Sequence, residues 1–266
     1  MTALMVQGVS SSAGKSLVAT ALVRFFARLD VRVAPFKAQN MSNNARVVRG
    51  GEIGVAQYLQ ALAAGIEPET RMNPVLVKPE GDTRSQIVVD GRPDLELGSR
   101  PWRDRAPALW GPIERALRSL LAEFELVVIE GAGSPAETNL RSTDLANMRV
   151  ALAADAPVVL VADIDRGGAF AHLYGTWSLV RDDERRAIRA FVLNKFRGDA
   201  SLLAPAPADL ERLTGVPVIG VLPWLEHGLP DEDGAAARGG SGPTVAVVRY
   251  PTASNLDELR RLEQVA

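Results

Sequence analysis

Short apolar runs alternate along the chain with longer stretches in which apolar positions recur every three or four residues. Residues 4–7 form a brief apolar run that stops at Gly8. Residues 14–29 follow with Leu17, Val18, Ala21, Leu22, Phe25, Phe26 and Leu29 at helical spacing. So broad an apolar face predicts a helix lying on a sheet. Residues 31–36 read as a second strand, 51–64 as a helix, and 103–123 as a longer helix carrying Leu109, Ile113, Leu117, Leu120 and Leu121. Residues 126–129, 157–162, 190–193 and 216–221 are continuous apolar runs, the pattern of parallel strands buried on both faces. Strands alternating with helices predict βαβ units with right-handed crossovers: an α/β fold with a mostly parallel sheet and helices on both faces.

The pattern breaks after Leu222. Residues 226–243 are rich in Gly, Pro, Asp and Ser and read as a linker, which makes 1–225 the main domain. A new strand is expected at 244–248 and a short helical pattern at 256–265. A tail of that size cannot form its own core, so it reads as the start of something further.

Composition narrows the classes. The 266 residues are 47% hydrophobic and 23% charged, which is ordinary globular composition and excludes disorder, collagen and coiled coil. A net charge of -2 argues against a general nucleic-acid binder. There is no cysteine, hence no disulfide, thiolate metal site, iron–sulfur cluster or Cys nucleophile, and His172 and His227 stand far apart. No apolar run approaches the ~18 residues of a membrane span. The N-terminus has no basic leader, which makes the cytoplasm the expected location.

The chemistry gathers at strand ends. Gly8-Val9-Ser10-Ser11-Ser12-Ala13-Gly14-Lys15-Ser16 lies where a predicted strand passes into the helix predicted over 14–29. That is the setting of a phosphate-binding loop, and it gives the fold its P-loop NTPase character. Loop and helix N–H groups would point at phosphate oxygens, Lys15 would reach the β- and γ-phosphates, and Ser16 would offer a hydroxyl to Mg²⁺. Five residues separate Gly8 from Gly14, one more than the usual four. Glu130 ends a buried strand and is followed by Gly131-Ala132-Gly133, so it fits a magnesium ligand beside a backbone that a ligand can approach. Asn194-Lys195 ends another strand and resembles a base-reading corner. After the second strand, Lys37, Gln39, Asn40, Ser42, Asn43 and Asn44 crowd together; Lys37 could offset charge on a moving phosphoryl group and the amides could orient a polar substrate. Asp163, Asp165, Arg166, Gly167 and Gly168 follow one more strand, where either Asp could contact metal or substrate or serve as a helix cap; the sequence leaves these open.

Taken together, these motifs resemble the N-terminal synthetase domain of the glutamine-dependent cobyric acid synthase family, which is similar to dethiobiotin synthetase and cobyrinic acid a,c-diamide synthase. The residues that carry the resemblance are the stretched loop ending Ala13-Gly14-Lys15-Ser16, Lys37-Ala38-Gln39-Asn40-Met41-Ser42, the run from Glu130 to Glu137, Asp163 to Gly168, and Leu193 to Asp199. The resemblance implies ATP-dependent amidation of four side-chain carboxylates (b, d, e and g) of adenosylcobyrinic acid a,c-diamide through acyl phosphates. Lys15, Lys37 and Glu130 would then serve catalysis. Ser11, Ser12, Ala13, Gly14, Lys15, Ser16, Leu17, Asn194 and Lys195 would hold ATP, with Mg²⁺ on Ser16 and Glu130. Gln39, Asn40, Asn43, Gly131, Ala132, Gly133, Asp165, Arg166 and Gly167 would meet the corrinoid acid.

Two departures from the family matter. Dethiobiotin synthetase-like relatives carry an additional acidic magnesium ligand after the second strand, where this chain has Gln39, Asn40, Asn43 and Asn44. The family also continues into a glutaminase-like domain with a Cys nucleophile, of which residues 244–266 resemble only the opening. Ammonia is therefore expected from a glutaminase domain or partner, and a homodimer is conceivable. Two rivals remain: a dimerising P-loop ATPase switch of the partitioning or septum-placement type, and a silent nucleotide-binding module. The switch proteins place an additional Lys early in the loop, where this chain has Val, Ser, Ser, Ser and Ala.

Overall fold

Apolar side chains alternate between two faces along the central strands, and this alternation places every helix. In β1 (Thr2–Gly8), Ala3 and Met5 join one buried cluster while Leu4 and Val6 join the other. Strands β9 (Leu126–Glu130) and β10 (Val158–Asp163) divide in the same way, with Val127, Ile129, Val158 and Leu160 on the first face and Val128 and Val161 on the second. A strand apolar on both faces must be covered on both, which favours a central, parallel position. The computed structural model describes residues 2–81, 84–229 and 255.

Between β1 and β9 the chain forms α1 (Lys15–Ala27), β2 (Val33–Phe36), β3 (Gln39–Met41), β4 (Ala45–Val48), β5 (Gly51–Gly54), α2 (Val55–Ala64), β6 (Val75–Pro79), β7 (Ser85–Val89), β8 (Arg92–Pro93), α3 (Leu95–Ser99) and α4 (Trp102–Glu123). After β9 come α5 (Met148–Ala153), β10, α6 (Ala169–Leu179), α7 (Asp182–Ala187), β11 (Ile188–Phe196), α8 (Ala206–Thr214) and β12 (Val218–Pro223). Six of the strands form one parallel sheet in the order β12-β11-β10-β1-β9-β2. Helix α1 packs Val18, Ala19 and Val23 on one face; α4, α5, α6 and α8 supply Ile113, Val150, Leu173 and Leu210 to the other. The α/β fold with helices on both faces is as the sequence predicts.

Two features were not. A four-stranded sheet, β3-β6-β7-β8, stands beside the main one, and residues 51–54 are a strand rather than the first turn of a helix, because they pair antiparallel with β4. The helix starts only at Val55. The linker expected over 226–243 lies beyond residue 229 largely outside the described residues, as does the expected strand at 244–248. Among the described residues no helix is long and apolar enough to cross a membrane.

The change of strand order at β1 matters most for the site. From β1 the chain moves to β2 on one side and later to β10 on the other, so a crevice opens at the carboxyl ends of the central strands. There β2 hands the chain to the second sheet. The Lys37 N–H donates to the Met72 carbonyl (2.9 Å), and the Asn73 amide donates to the carbonyls of Lys37 and Val75 (both 3.0 Å). Lys37 is thereby fixed at the seam between the sheets.

Candidate nucleotide-binding site

The loop after β1 needs unusual backbone. Gly14 adopts φ 99 just ahead of α1, and a Cβ there would collide with the Asn194 amide, so only glycine serves. Ser12 also lies in the left-handed region, with φ 60. Asn194 donates from Nδ2 to the Ala13 carbonyl (2.9 Å), and Lys195 donates to the Ser12 carbonyl (2.7 Å) and to Asp163 Oδ2 (2.8 Å). The Asn194-Lys195 corner thus braces the phosphate loop, and the Asn194 Oδ1 is buried without a hydrogen-bond partner. Ser11 and Ser12 are exposed, while Leu17 stands in the first turn of α1.

Beneath the loop lie Lys15 and a cluster in which Ser16, Lys37 and Gln60 meet Glu130. Lys15 is buried and donates to the carbonyls of Ser10 (3.1 Å) and Gly133 (3.4 Å). Glu130 is fully buried at the end of β9. Its Oε1 accepts from the Ser16 hydroxyl (2.9 Å) and from Lys37 Nζ (2.8 Å); its Oε2 accepts from the Gln60 amide on α2 (2.6 Å). The carboxylate therefore has a cation and two neutral donors, which offset the cost of burying its charge. One hydroxyl and one carboxylate oxygen side by side suit Mg²⁺, a hard cation that takes one or two protein ligands and fills its remaining positions with phosphate oxygens and water. Among the described residues no group of three His, Cys, Asp or Glu side chains gathers into a dedicated cage.

A cleft of ≈ 320 Å³ opens beside this junction, lined among others by Ser11, Lys37, Gln39, Asn40, Gly133 and Glu137. Its far wall is the loop from Ala132 to Met148, held by Asn147, whose amide donates to the Ala132 carbonyl (2.7 Å) and whose Oδ1 accepts from the Ala132 N–H (3.1 Å). Gly131 is required here because a Cβ would strike that Asn147 oxygen. The structure thus brings Ser11, Lys15, Ser16, Lys37, Gln39, Asn40, Glu130, Ala132 and Gly133 to one place.

Other residues named from the sequence stand elsewhere. Asn43 donates to the Pro79 carbonyl (3.0 Å), and Asn44 Oδ1 accepts from the Asn255 N–H (2.7 Å). Asp165, Arg166 and Gly167 are exposed on the opposite side of the loop, where Asp165 pairs with Arg197 at 3.2 Å; none of the three lines the cleft. Sequence reasoning passed over Gln60 and Asn73; Asn147 lies in the stretch 144–148, whose polar residues the sequence places at the same edge as the Glu130 loop. A sign was present for Gln60: read as a helix, 55–64 turns Gln57 and Gln60 to the buried side while Leu62 is half exposed, the reverse of the usual preference.

A parallel sheet with a Lys-Ser phosphate loop at its central strand, and an acid at the neighbouring strand end, defines a P-loop nucleotide-binding domain. The chain belongs to the CobQ/CobB/MinD/ParA nucleotide binding domain family, whose model matches residues 4–229. It is 56% identical over 288 residues to a cobyric acid synthase of Polaromonas sp. (strain JS666 / ATCC BAA-500), covering 98% of this chain and 57% of that protein. It is 59% identical over 268 residues to one of Variovorax paradoxus (strain S110), covering 98% of this chain and 56% of that protein. The chain thus spans little more than half the length of these curated relatives. Among solved structures, the signal recognition particle receptor FtsY from Elizabethkingia anophelis aligns with 83% of this chain and 58% of its own, at TM-score 0.48 and 17% identity.

Proposed function

We propose that this domain is the synthetase half of a cobyric acid synthase: it uses ATP to activate side-chain carboxylates of adenosylcobyrinic acid a,c-diamide, and ammonia from a glutaminase domain or partner converts each to an amide. The observation that carries this reading is the Lys37–Glu130–Ser16 junction, set between the phosphate loop and a cleft whose mixed walls carry Gln39, Asn40 and Asn147 beside apolar side chains such as Met41 and Leu145. The relatives' names point the same way.

The reaction brings two anions together, so charge has to be offset before the atoms can meet. Lys15 lies under the loop for the β- and γ-phosphates, and Lys37 lies where the loop joins the cleft. A carboxylate oxygen held in the cleft attacks the γ-phosphorus while the bond from that phosphorus to the β–γ bridging oxygen breaks, and ADP departs. Ammonia then attacks the acyl carbon, and phosphate leaves with its oxygen, carrying the proton that the ammonia nitrogen gives up. The two lysines favour the charge spread in the first transition state, and holding the oxygen in line supplies much of the remaining rate. Ser16 and Glu130 would hold Mg²⁺, which when bound neutralises phosphate charge. Asn194 and Lys195 would meet the base, and Gln39 and Asn40 the corrinoid.

Incubation of the purified chain with the corrinoid acid, ATP, Mg²⁺ and ammonium, followed by mass spectrometry, tests this. Replacement of carboxyl by carboxamide, with ammonium and not with glutamine, is the expected result. ADP formation without any amide would favour a switch ATPase, and nucleotide binding without ADP a silent module.

A further inference from the structure

Helix α2 (Val55–Ala64) is built against the ordinary rule: Gln57 and Gln60 are fully buried while Leu62 is half exposed. Among the described residues nothing donates to Gln60 Oε1, and the amide is anchored there through Nε2, which donates to Glu130 Oε2 at 2.6 Å. An apolar side chain of the same size would spare the fold an unpaired buried acceptor. The amide's return has to come from Glu130. We infer that Gln60 is a positioning residue: by occupying Oε2 it turns Oε1 of Glu130 toward Ser16 and Lys37, and so orients the carboxylate for a Mg²⁺–nucleotide complex.

The donor behind Glu130 is neutral, and its neutrality matters. Lys37 faces Glu130 from the end of β2 and already supplies the carboxylate with a cation. A cation in place of Gln60 would compete with Lys37 for the carboxylate, and an acid would repel it. The amide fixes geometry and leaves the balance unchanged. Groups that orient a metal ligand from behind act in this way, and their loss costs about 10- to 100-fold in metal affinity or activity.

The inference rests on the proposed use of Glu130 but not on corrinoid chemistry, so it is tested by nucleotide binding. A fluorescent ATP analogue is titrated against wild type, Gln60→Met, Glu130→Gln and the double variant, with and without Mg²⁺, and each protein is melted thermally. Gln60→Met should weaken binding by about 10-fold with Mg²⁺ and leave it unchanged without. The double variant should bind no worse than Glu130→Gln alone, because Gln60 acts only through that carboxylate. Equal losses with and without Mg²⁺, or losses that add in the double variant, would overturn the inference and make Gln60 a packing residue. Should Gln60→Met melt early, the cycle in the Glu130→Gln background still decides. If these results hold and no amide is ever formed, the ligase reading fails while this one stands.

Discussion

Two lysine–carboxylate pairs flank the phosphate loop, and they differ more than their distances reveal. On one side Lys37, just past β2, meets Glu130 at the end of β9; on the other Lys195, in β11, meets Asp163 at the end of β10. Both contacts are 2.8 Å. β9 and β10 are the two neighbours of β1, so the pairs stand almost symmetrically about the loop. Their side chains are 2% and 0% exposed in the first pair and 25% and 7% in the second. The longer Glu130 side chain reaches under the loop to Ser16 and Gln60, where water is excluded. The shorter Asp163 stays at its strand end, accepts from the Asp165 N–H, and holds Lys195 against the Ser12 carbonyl. The same pair of charges is thus sealed from water on the side where we propose catalysis, and braces backbone on the wetter side. Coulomb attraction at equal distance grows as the effective dielectric falls, and so does the penalty for losing one partner.

The largest expected effect is on turnover. Lys15→Ala should lower kcat by about 100- to 1,000-fold while the thermal melt stays close to wild type. Unchanged kcat and KM would remove the loop from the mechanism. Next, Lys37→Met and Lys195→Met should separate in urea unfolding. The first leaves a buried carboxylate without its cation and should cost about 3–5 kcal/mol. The second breaks a partly solvated pair and should cost ~1 kcal/mol or less. Equal costs would erase the distinction between the two sides. A smaller effect is expected from salt: raising ionic strength toward about 1 M should weaken the contribution of Lys195–Asp163 and leave that of Lys37–Glu130 nearly unchanged, read from double-variant cycles at low and high salt.

The smallest effect lies beyond the Lys195 corner, at Asp199. Its carboxylate accepts from the Ser201 backbone N–H at 2.9 Å, and this bond, with that to the Ser201 side chain, lowers its pKa below the usual carboxylate range. A lowered folded pKa means stability that is present above the unfolded value and lost as pH falls through the folded one. Asp199→Ala should therefore lower Tm slightly at neutral pH and make no difference in strong acid. A gap that persists in acid would show that the carboxylate's charge is not what matters.

The main sheet was legible because its strands are buried on both faces. Residues 126–129, 158–162 and 190–193 have to be apolar without a break, and a run that short and that apolar suits few places in a fold besides a covered strand. The loop from Gly8 to Ser16 was legible for a different reason, since phosphate chemistry restricts both residue types and spacing. The second sheet was not. Gln39-Asn40-Met41 reads as polar loop and becomes a strand only because Val75-Leu76-Val77 lies beside it. Residues 51–54 read as helix because the apolar spacing continues into Val55, and pairing with β4 overrides it. Gln60 and Asn73 carry no motif; each matters through a partner 36 or more residues away.

Local sequence determined the layered α/β architecture, the phosphate loop and the identity of its charged groups, because burial periodicity and loop spacing act over a few residues. It did not determine which lysine would be buried and which left near water, nor that the Asp165–Gly167 turn would stand on the opposite side of the loop from the cleft. Those depend on strand order: β9 inserts beside β2 and seals Lys37 under α2, whereas β11 leaves Lys195 near the surface. A charge takes its strength from how much water surrounds it, and only the packed tertiary structure sets that.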